Sequence, residues 1–405
     1  MTAKFNFELS STQLHEIANA FESCIEQGLK DTQQELKCLP AYTPITEQIK
    51  SGEVCVLDLG GSNLRASKVV INADGLTTIK QVCETQVPWK RGVDFGKNHF
   101  LAVQAKLLEP YLNQQNLLGY CFSYPTQSLP SGDAKLVNWT KGVKVDGMEE
   151  QPVGSLLTQY IENEYGKSIN TVAVINDTVA SLLAGLTLTP SDAYFGVIAG
   201  TGSNIAGLYP VDRIGKLSAI QKQAYAHHRL PVNLESGNFN PPHLTAFDDI
   251  VDKTSENPGL QRFEKAVSGM YLGRIFKAAF SELDFDAESG AKGLVEFIDK
   301  QPSDCDYRNA ALSLLKRSTQ LVAAQLLGLI NHYRKKIDYQ VRHIRIVCEG
   351  GLFHSTSVLG PYCQLVEDEL KNLLNKSIRS DIQVELTRVA QANLLGSAIA
   401  ALACQ

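Results

Sequence analysis

Asp177 stands where a buried strand is expected to end, two residues after the apolar run at 172–175. Glycine-containing turns that follow apolar runs lie on either side of it in the sequence, at 60–62 and at 200–202. A carboxylate between two phosphate-holding loops would act as the base that deprotonates a hydroxyl during phosphoryl transfer. The alternative is an aspartate that caps the helix expected after it. Both interpretations stay open at this level.

The two turns, called here the first turn (60–62) and the second turn (200–202), have the composition of anion-binding nests. In such a nest successive backbone N–H groups point at one spot, and the hydroxyls of Ser62 and Thr201 add donors. Neither turn has the spacing of a dinucleotide fingerprint or a Walker P-loop. Taken singly, each is better explained as a hairpin in which glycine supplies a positive φ. The repetition of the device favours phosphate.

Asp58 lies inside an apolar run, where an ionised carboxylate is costly unless it is paired or close to a cation. One role would be to hold Mg²⁺ through water, because Mg²⁺ loses its hydration shell reluctantly. A buried aspartate bonded to neighbouring backbone is the alternative. Arg65 would either offset phosphate charge or form a structural ion pair.

Polar residues at loop-like positions have the chemistry that a sugar needs, because each sugar hydroxyl is both a donor and an acceptor. For any one of them alone, a solvated surface position is the ordinary explanation. The candidates are Ser123, Asn138, Thr140, Lys141, Asn176, Asn204, Glu235 and Glu264.

The elements that position these residues follow from apolar periodicity. Helices are predicted at 11–29, 100–112, 260–280, 310–333 and 392–403. Strands are predicted at 54–59, 64–71, 77–87, 117–122, 172–175, 195–199, 205–208 and 344–347.

The composition is that of an ordinary globular protein, with 405 residues, 44% hydrophobic and 20% charged. This length indicates about two domains. The net charge of −5 and the lack of a basic run argue against nucleic acid or a membrane as the partner. The nine cysteines are scattered without a Cys-x-x-Cys pair, which fits a reduced compartment. No signal peptide or membrane span is visible, so we expect a soluble, cytoplasmic protein.

Taken in order, the distinctive segments are LDLGGSNLR (57–65), FSYP (122–125), NWTKG (138–142), NDT (176–178), GTGSN (200–204), NPG (257–259), EK (264–265) and GMYLG (269–273). Each is weak alone, but the set resembles the eukaryotic-type hexokinases of the sugar kinase and actin-like ATPase superfamily. The resemblance runs from about residue 12 to the C-terminus.

This resemblance implies an α/β, two-lobed actin-like ATPase (ribonuclease H-like) fold with a cleft between a small and a large domain. The small domain would comprise 50–177 plus 389–405, and the large domain 1–49 plus 178–388. The implied reaction transfers a phosphoryl group from ATP, with Mg²⁺, to the 6-hydroxyl of glucose or a related hexose, at the entry to glycolysis.

The resemblance also implies residue roles. Asp177 would be the general base, with Lys141 near the reacting oxygen. The hexose would be bound by Ser123, Thr140, Lys141, Asn176, Asp177, Asn204, Glu235 and Glu264. The nucleotide would be bound by Asp58, Gly60, Gly61, Ser62, Asn63, Arg65, Gly200, Thr201, Gly202, Gly350 and Gly351, with Asp58 also holding Mg²⁺ through water.

The sequence departs from the family pattern at several positions. Ser62 replaces a threonine and keeps its hydroxyl. Ser236 stands where a tryptophan usually follows the sugar-binding glutamate, so the rim of the sugar pocket is expected to differ. Arg274 stands where an acidic residue is typical, and Glu349 replaces an aspartate before Gly350.

Other functions remain open. The departure at Ser236 leaves room for another hexose, such as mannose, fructose or an N-acetylated hexosamine. A non-catalytic sugar sensor is disfavoured by the intact Asp58, Lys141 and Asp177. An actin-like ATPase without sugar is disfavoured by the polar candidates from Ser123 to Glu264. Either a monomer or a homodimer is compatible with the sequence.

Overall fold

The structure is a computed structural model that describes residues 5–46, 48–89, 95–140, 143–376 and 381–405. The helices are α1 (Ser11–Lys30), α2 (Lys97–Leu108), α3 (Val153–Tyr165), α4 (Asp177–Ala184), α5 (Ala219–Ala224), α6 (Ala246–Lys253), α7 (Arg262–Val267), α8 (Gly269–Ala279), α9 (Gly290–Lys300), α10 (Asp306–Lys336), α11 (Tyr362–Lys376) and α12 (Ala392–Ala403). The strands are β1 (Leu39–Pro40), β2 (Gly52–Leu59), β3 (Asn63–Ile71), β4 (Thr77–Ile79), β5 (Cys83–Gln86), β6 (Gln115–Phe122), β7 (Thr126–Ser128), β8 (Ala134–Leu136), β9 (Ser168–Ile175), β10 (Ala193–Ala199), β11 (Ser203–Pro210), β12 (Arg229–Asn233), β13 (His343–Glu349), β14 (Thr356–Ser357), β15 (Gly360–Pro361) and β16 (Gln383–Thr387).

The first sheet has the strand order β4-β3-β2-β6-β9, with β5 also paired to β3. Strands β2, β6 and β9 run parallel, so that Asp58 lies opposite Cys121 and Cys121 opposite Ile175. Parallel strands end at the same edge of a sheet, where ligand sites of open α/β sheets form. The first turn and the residues after β6 and β9 therefore share one edge.

The second sheet has the order β1-β12-β11-β10-β13-β16. Strands β10, β13 and β16 run parallel, whereas β10, β11 and β12 form antiparallel pairs. Ile198 near the end of β10 is paired with Glu349 at the end of β13. The second turn, which joins β10 to β11, is thereby brought beside Gly350 and Gly351.

Helices α4 and α12 lie between the two sheets, where their apolar residues share one core with residues of β2, β9 and β11. A side chain at Gly396 of α12 would overlap the backbone of Ala180 in α4, and one at Gly196 of β10 would overlap the carbonyl of Thr178. Glycine at these two positions permits the close approach. The start of α4 is thus fixed against both sheets.

Separate cores support the outer faces. Helices α2 and α3 cover the other face of the first sheet. Helices α1, α10 and α11 cover the second sheet, and the long α10 is buried along most of its length. Within the described ranges, no helix is both long enough and apolar enough to span a membrane.

Several sequence predictions are confirmed, among them α1, α10 and the bounds of α12. The single helix predicted at 260–280 is wrong, because the chain breaks at Ser268 (φ −77°, ψ 151°) into α7 and α8. The break lets the N–H of Gly269 donate to the carbonyl of Gly200 (2.8 Å).

The single strand predicted at 77–87 is also wrong, because the chain forms two short strands, β4 and β5, on different parts of β3. Between them the Ser67 hydroxyl donates to the carbonyl of Lys80 (2.9 Å), and the N–H of Lys80 donates to the carbonyl of Lys68 (2.9 Å).

Candidate active site

The edge of the first sheet brings together residues that are distant in sequence. The N–H of Ser123 donates to the carbonyl of Leu59 (3.1 Å), and the hydroxyl of Tyr124 donates to the carbonyl of Gly60 (3.2 Å). Ser123 is buried. These bonds hold the segment after β6 against the first turn, next to the end of β9.

Asp177 is the first residue of α4, and Asn176 is its N-cap. The Asn176 side chain accepts from the N–H of Thr178 (2.9 Å), and Asp177 Oδ1 accepts from the same N–H (2.8 Å). The N-cap is therefore Asn176 and not Asp177, which lies in the first turn of α4, where a negative charge is favourable. The charge of Asp177 contributes to the raised pKa values of Asp58 and Cys121, after the larger effects of burial and of charges closer to each.

Asp58 is buried and its partners are side chains. Arg65 Nε donates to Oδ2 (3.0 Å), with a second contact from Nη2 to the same oxygen, and Asn393 Nδ2 donates to Oδ1 (3.2 Å). Arg65 Nη1 also donates to Gln391 (3.0 Å). Burial raises the pKa of Asp58, and the charge of Arg65 opposes that rise. These contacts are those of a structural ion pair, and a contact of Arg65 with phosphate stays a prediction.

The role of Asp58 in holding Mg²⁺ through water stays a prediction, since its two oxygens bond to Arg65 and Asn393 in this structure. In the part of the chain that the structure describes, no group of three or more His, Cys, Asp or Glu side chains could hold a metal ion. Mg²⁺ usually keeps several waters and is bound through one or two carboxylates and the phosphates of the substrate. Asp58, beside the first turn, would be such a carboxylate.

The second turn is joined to α7 by Glu264. Glu264 Oε2 accepts from the N–H of Ser203 (2.9 Å), and a Cβ on Gly202 would overlap this carboxylate. Neither Gly200 nor Gly202 has φ in the left-handed region, and the same holds for Gly60. The interpretation that these glycines supply a positive φ is therefore wrong. At Gly202 the requirement is space for Glu264.

A chain of hydrogen bonds joins three polar residues behind the second turn. Asn204 Nδ2 donates to Asn233 Oδ1 (2.8 Å), and Asn233 Nδ2 donates to Glu235 Oε1 (2.7 Å). Asn233 was missed by the sequence predictions, and its only signal is a polar residue at the end of an apolar strand. Ser236 is buried, and its N–H donates to Asn204 Oδ1 (3.1 Å). Ser236 therefore orients a proposed sugar-binding residue from behind.

Gly350 and Gly351 lie against the second turn. Gly350 has φ 103°, and a Cβ there would stand 2.7 Å from the carbonyl carbon of Ala199. Beside them opens a cavity of about 530 Å³. Its walls include Gly200, Thr201 and Gly351 together with residues of α9, α10 and α11 that the sequence predictions missed, among them Lys292, Thr319 and Leu365.

Lys141 lies outside the described residues, so its position is not part of the structure. Thr140 lies in the loop after β8, where its carbonyl accepts from the N–H of Val143 (3.1 Å).

Glu349 departs from the family pattern before Gly350. In the structure its carboxylate pairs with His354 (3.6 Å).

Two sheets with glycine turns at their parallel-strand ends, and α4 between them, define the two-lobed actin-like ATPase fold. Family models described as hexokinase match residues 2–187 and 194–296. The chain belongs to the hexokinase family, whose members phosphorylate hexoses with ATP.

Individual relatives support the assignment to the hexokinase family. Hexokinase-2 of Oryza sativa subsp. japonica is 27% identical over 439 aligned residues, covering 93% of this chain and 85% of the relative. A glucokinase of Aspergillus niger is 28% identical over 299 residues, covering 66% of this chain and 60% of the relative. The structure of a Schistosoma mansoni hexokinase complexed with glucose superposes with a TM-score of 0.78 at 22% identity, covering 98% of this chain and 96% of the other.

Proposed function

We propose that this hexokinase acts on the 6-hydroxyl of glucose and that Asp177 is the general base. The observation that carries the proposal is the position of Asp177, at the end of β9 and the start of a helix that packs against both sheets. Asp177 thereby lies at the same edge of the first sheet as the first turn, and its charge acts on Asp58. A base must reach the proton that it accepts, and its placement is the first requirement.

The sugar would lie among the predicted polar residues. Glu264 and Asn204 are supported by their hydrogen-bonded positions behind the second turn, and Ser123 and Asn176 by theirs at the edge of the first sheet. Glu235 is supported by its bond from Asn233. Thr140 and Lys141 would close the site from the loop after β8.

ATP would place its phosphates at the two turns and its adenosine in the cavity beside Gly351. The cavity opens directly at Thr201, so that a nucleotide seated in it would reach the second turn. Mg²⁺, when bound, would neutralise phosphate charge near Asp58. The chain's own contribution is to hold and orient the reacting groups and to exclude water, which would otherwise accept the phosphoryl group.

The proposed small domain, 50–177 plus 389–405, is supported by the packing of α12 on β2, β6 and β9. Residues 1–49 plus 178–388 would form the large domain. Every group of the proposed site comes from one chain, as in a monomer or in a homodimer with two separate sites. A cytoplasmic location is supported by cysteines that are all free thiols in the structure.

The test is ADP release measured across a panel of hexoses and deoxy sugars, with and without Mg²⁺. We expect turnover with glucose that needs Mg²⁺. Sugars lacking a bound hydroxyl should be poor substrates, because unpaired polar groups would remain in the site. A preference for mannose, fructose or an N-acetylated hexosamine would correct the substrate. ADP release at background with every sugar would favour a sensor.

A further inference from the structure

Glu264 lies on α7, a helix of six residues. So short a helix has too few internal hydrogen bonds to be stable alone, so its orientation depends on tertiary contacts. Glu264 contacts the second turn through Ser203 (2.9 Å). What holds the other side of α7 therefore decides where this carboxylate lies.

Lys265 holds the other side. Successive residues of a helix point about 100° apart, and Lys265 is directed away from the second turn into a buried position, with 3% of its surface exposed. Its Nζ donates to Asp252 Oδ1 on α6 (2.7 Å) and to the carbonyl of Asn257 (2.8 Å). The ammonium thus joins α6, α7 and the segment between them.

Asp252 holds that segment as well. Its carboxylate accepts from the N–H of Gly259 (2.9 and 3.1 Å) and pairs with Arg262 Nη1 (3.2 Å). Burial alone would raise the pKa of Asp252, but the bonds from Lys265 and Gly259 and the nearby positive charges hold it below its ordinary value. The carboxylate is therefore charged and fastens the start of α7 to α6.

We propose that Asp252 and Lys265 are positioning residues for hexose binding. They fix the rotation of α7 about its own axis and so hold Glu264 against the second turn. The inference rests on the proposed function, because it takes Glu264 to be a sugar ligand. Both residues act through Glu264, and the bonds described above join them to α6, α7 and the segment between these helices.

The first test is Lys265→Met, which keeps the apolar stem and removes the charge. A displacement of about 1 Å at a binding group costs up to ~100-fold, so we expect the hexose KM to rise by about 10- to 100-fold. The KM for ATP should rise much less than the KM for the hexose. Glu264 would bind the sugar equally in the substrate complex and in the transition state. Its displacement should therefore change kcat much less than KM. Lys265→Arg, which keeps the charge, should recover part of the hexose affinity.

Asp248→Asn is the matched control. Asp248 lies on α6, as Asp252 does, and is about as buried as Lys265, but it pairs with the buried Arg317 of α10 (2.7 and 2.8 Å). Its loss should lower Tm while leaving the hexose KM unchanged. A merely structural role for Lys265 would make the two variants alike.

The double variant Asp252→Asn/Lys265→Met separates folding from positioning. A neutral pair leaves no unpaired buried charge, so Tm should recover relative to Lys265→Met. The hexose KM should remain high, because the pair that orients α7 is gone. If Lys265→Met does not fold, the double variant carries the same test.

Glu264→Gln is measured in parallel to distinguish two failures. If Glu264→Gln leaves the hexose KM unchanged, Glu264 does not bind the sugar, and both that role and this inference are wrong. If Glu264→Gln raises the hexose KM while the folded Lys265 variants leave it unchanged, the positioning inference is overturned and the sugar role of Glu264 stands.

Discussion

Replacing Gly202 with alanine tests the geometry of the second turn. The new Cβ would stand 3.2 Å from the carboxyl carbon of Glu264 and closer still to Oε2, whereas ordinary contacts lie at 3.4–4 Å. The carboxylate must therefore move by roughly 1 Å, and a misplacement of that size costs up to about 100-fold in kcat/KM. The hydrogen bond from Ser203 would be lost with it.

The loss of that bond also lowers stability, because the bond lies within the protein. A hydrogen bond to a charged group contributes about 1.5–3 kcal/mol, so the free energy of unfolding of Gly202→Ala should fall by about that amount. The displaced carboxylate should weaken hexose binding by up to about 100-fold.

The assay is isothermal titration of the hexose, together with steady-state kinetics in hexose and ATP. Gly96→Ala is the matched control, because a Cβ at Gly96 meets nothing within 4 Å and its φ is −85°. Gly96→Ala should bind hexose normally. Hexose affinity within about twofold of the wild type in a folded Gly202→Ala protein would refute the reasoning, since the displaced carboxylate of Glu264 could not hold the sugar as before.

Two further predictions concern stability. Arg65→Met should lower the free energy of unfolding by about 3 kcal/mol, because it leaves the buried Asp58 without its ion pair; a change below ~1 kcal/mol in urea denaturation would contradict this. Burial lowers the pKa of His332 to about 4, and neither ring nitrogen has a hydrogen-bond partner in the described ranges. Since the unfolded state binds this proton from about pH 6.5 downward, stability falls as pH falls through that window, by about 2 kcal/mol between pH 7.5 and 5. In His332→Leu this part of the pH dependence should vanish, and urea denaturation at the two pH values measures it.

The ends of the strands that precede Gly60, Asn176 and Gly200 could be predicted from sequence, because each of these residues follows a short apolar run. The helix α12 was equally predictable from its alanine and leucine content. These features are local, since strand and helix patterns depend on residues a few positions apart. The break between α7 and α8 was not predictable, because it accompanies a long-range hydrogen bond from the N–H of Gly269 to the carbonyl of Gly200.

The partners of the site residues depend on contacts that sequence patterns do not reveal. Arg65 bonds to Gln391, 326 residues away, and Asp58 to Asn393, 335 residues away. The bridging role of Asn233 depends in the same way on the pairing of β11 with β12. Likewise, the cavity beside Gly351 is lined by residues of α8, α9, α10 and α11, and their assembly from distant segments was not predictable from any one of them.

The most direct test of the central claim is the Asp177→Ala variant, in which turnover and hexose binding are measured separately. Loss of a general base costs about 10²–10⁴-fold in rate. We predict a kcat at least 10²-fold lower, with hexose still bound in a titration without ATP. Near-normal kcat in this variant would contradict the assignment of Asp177 as the base.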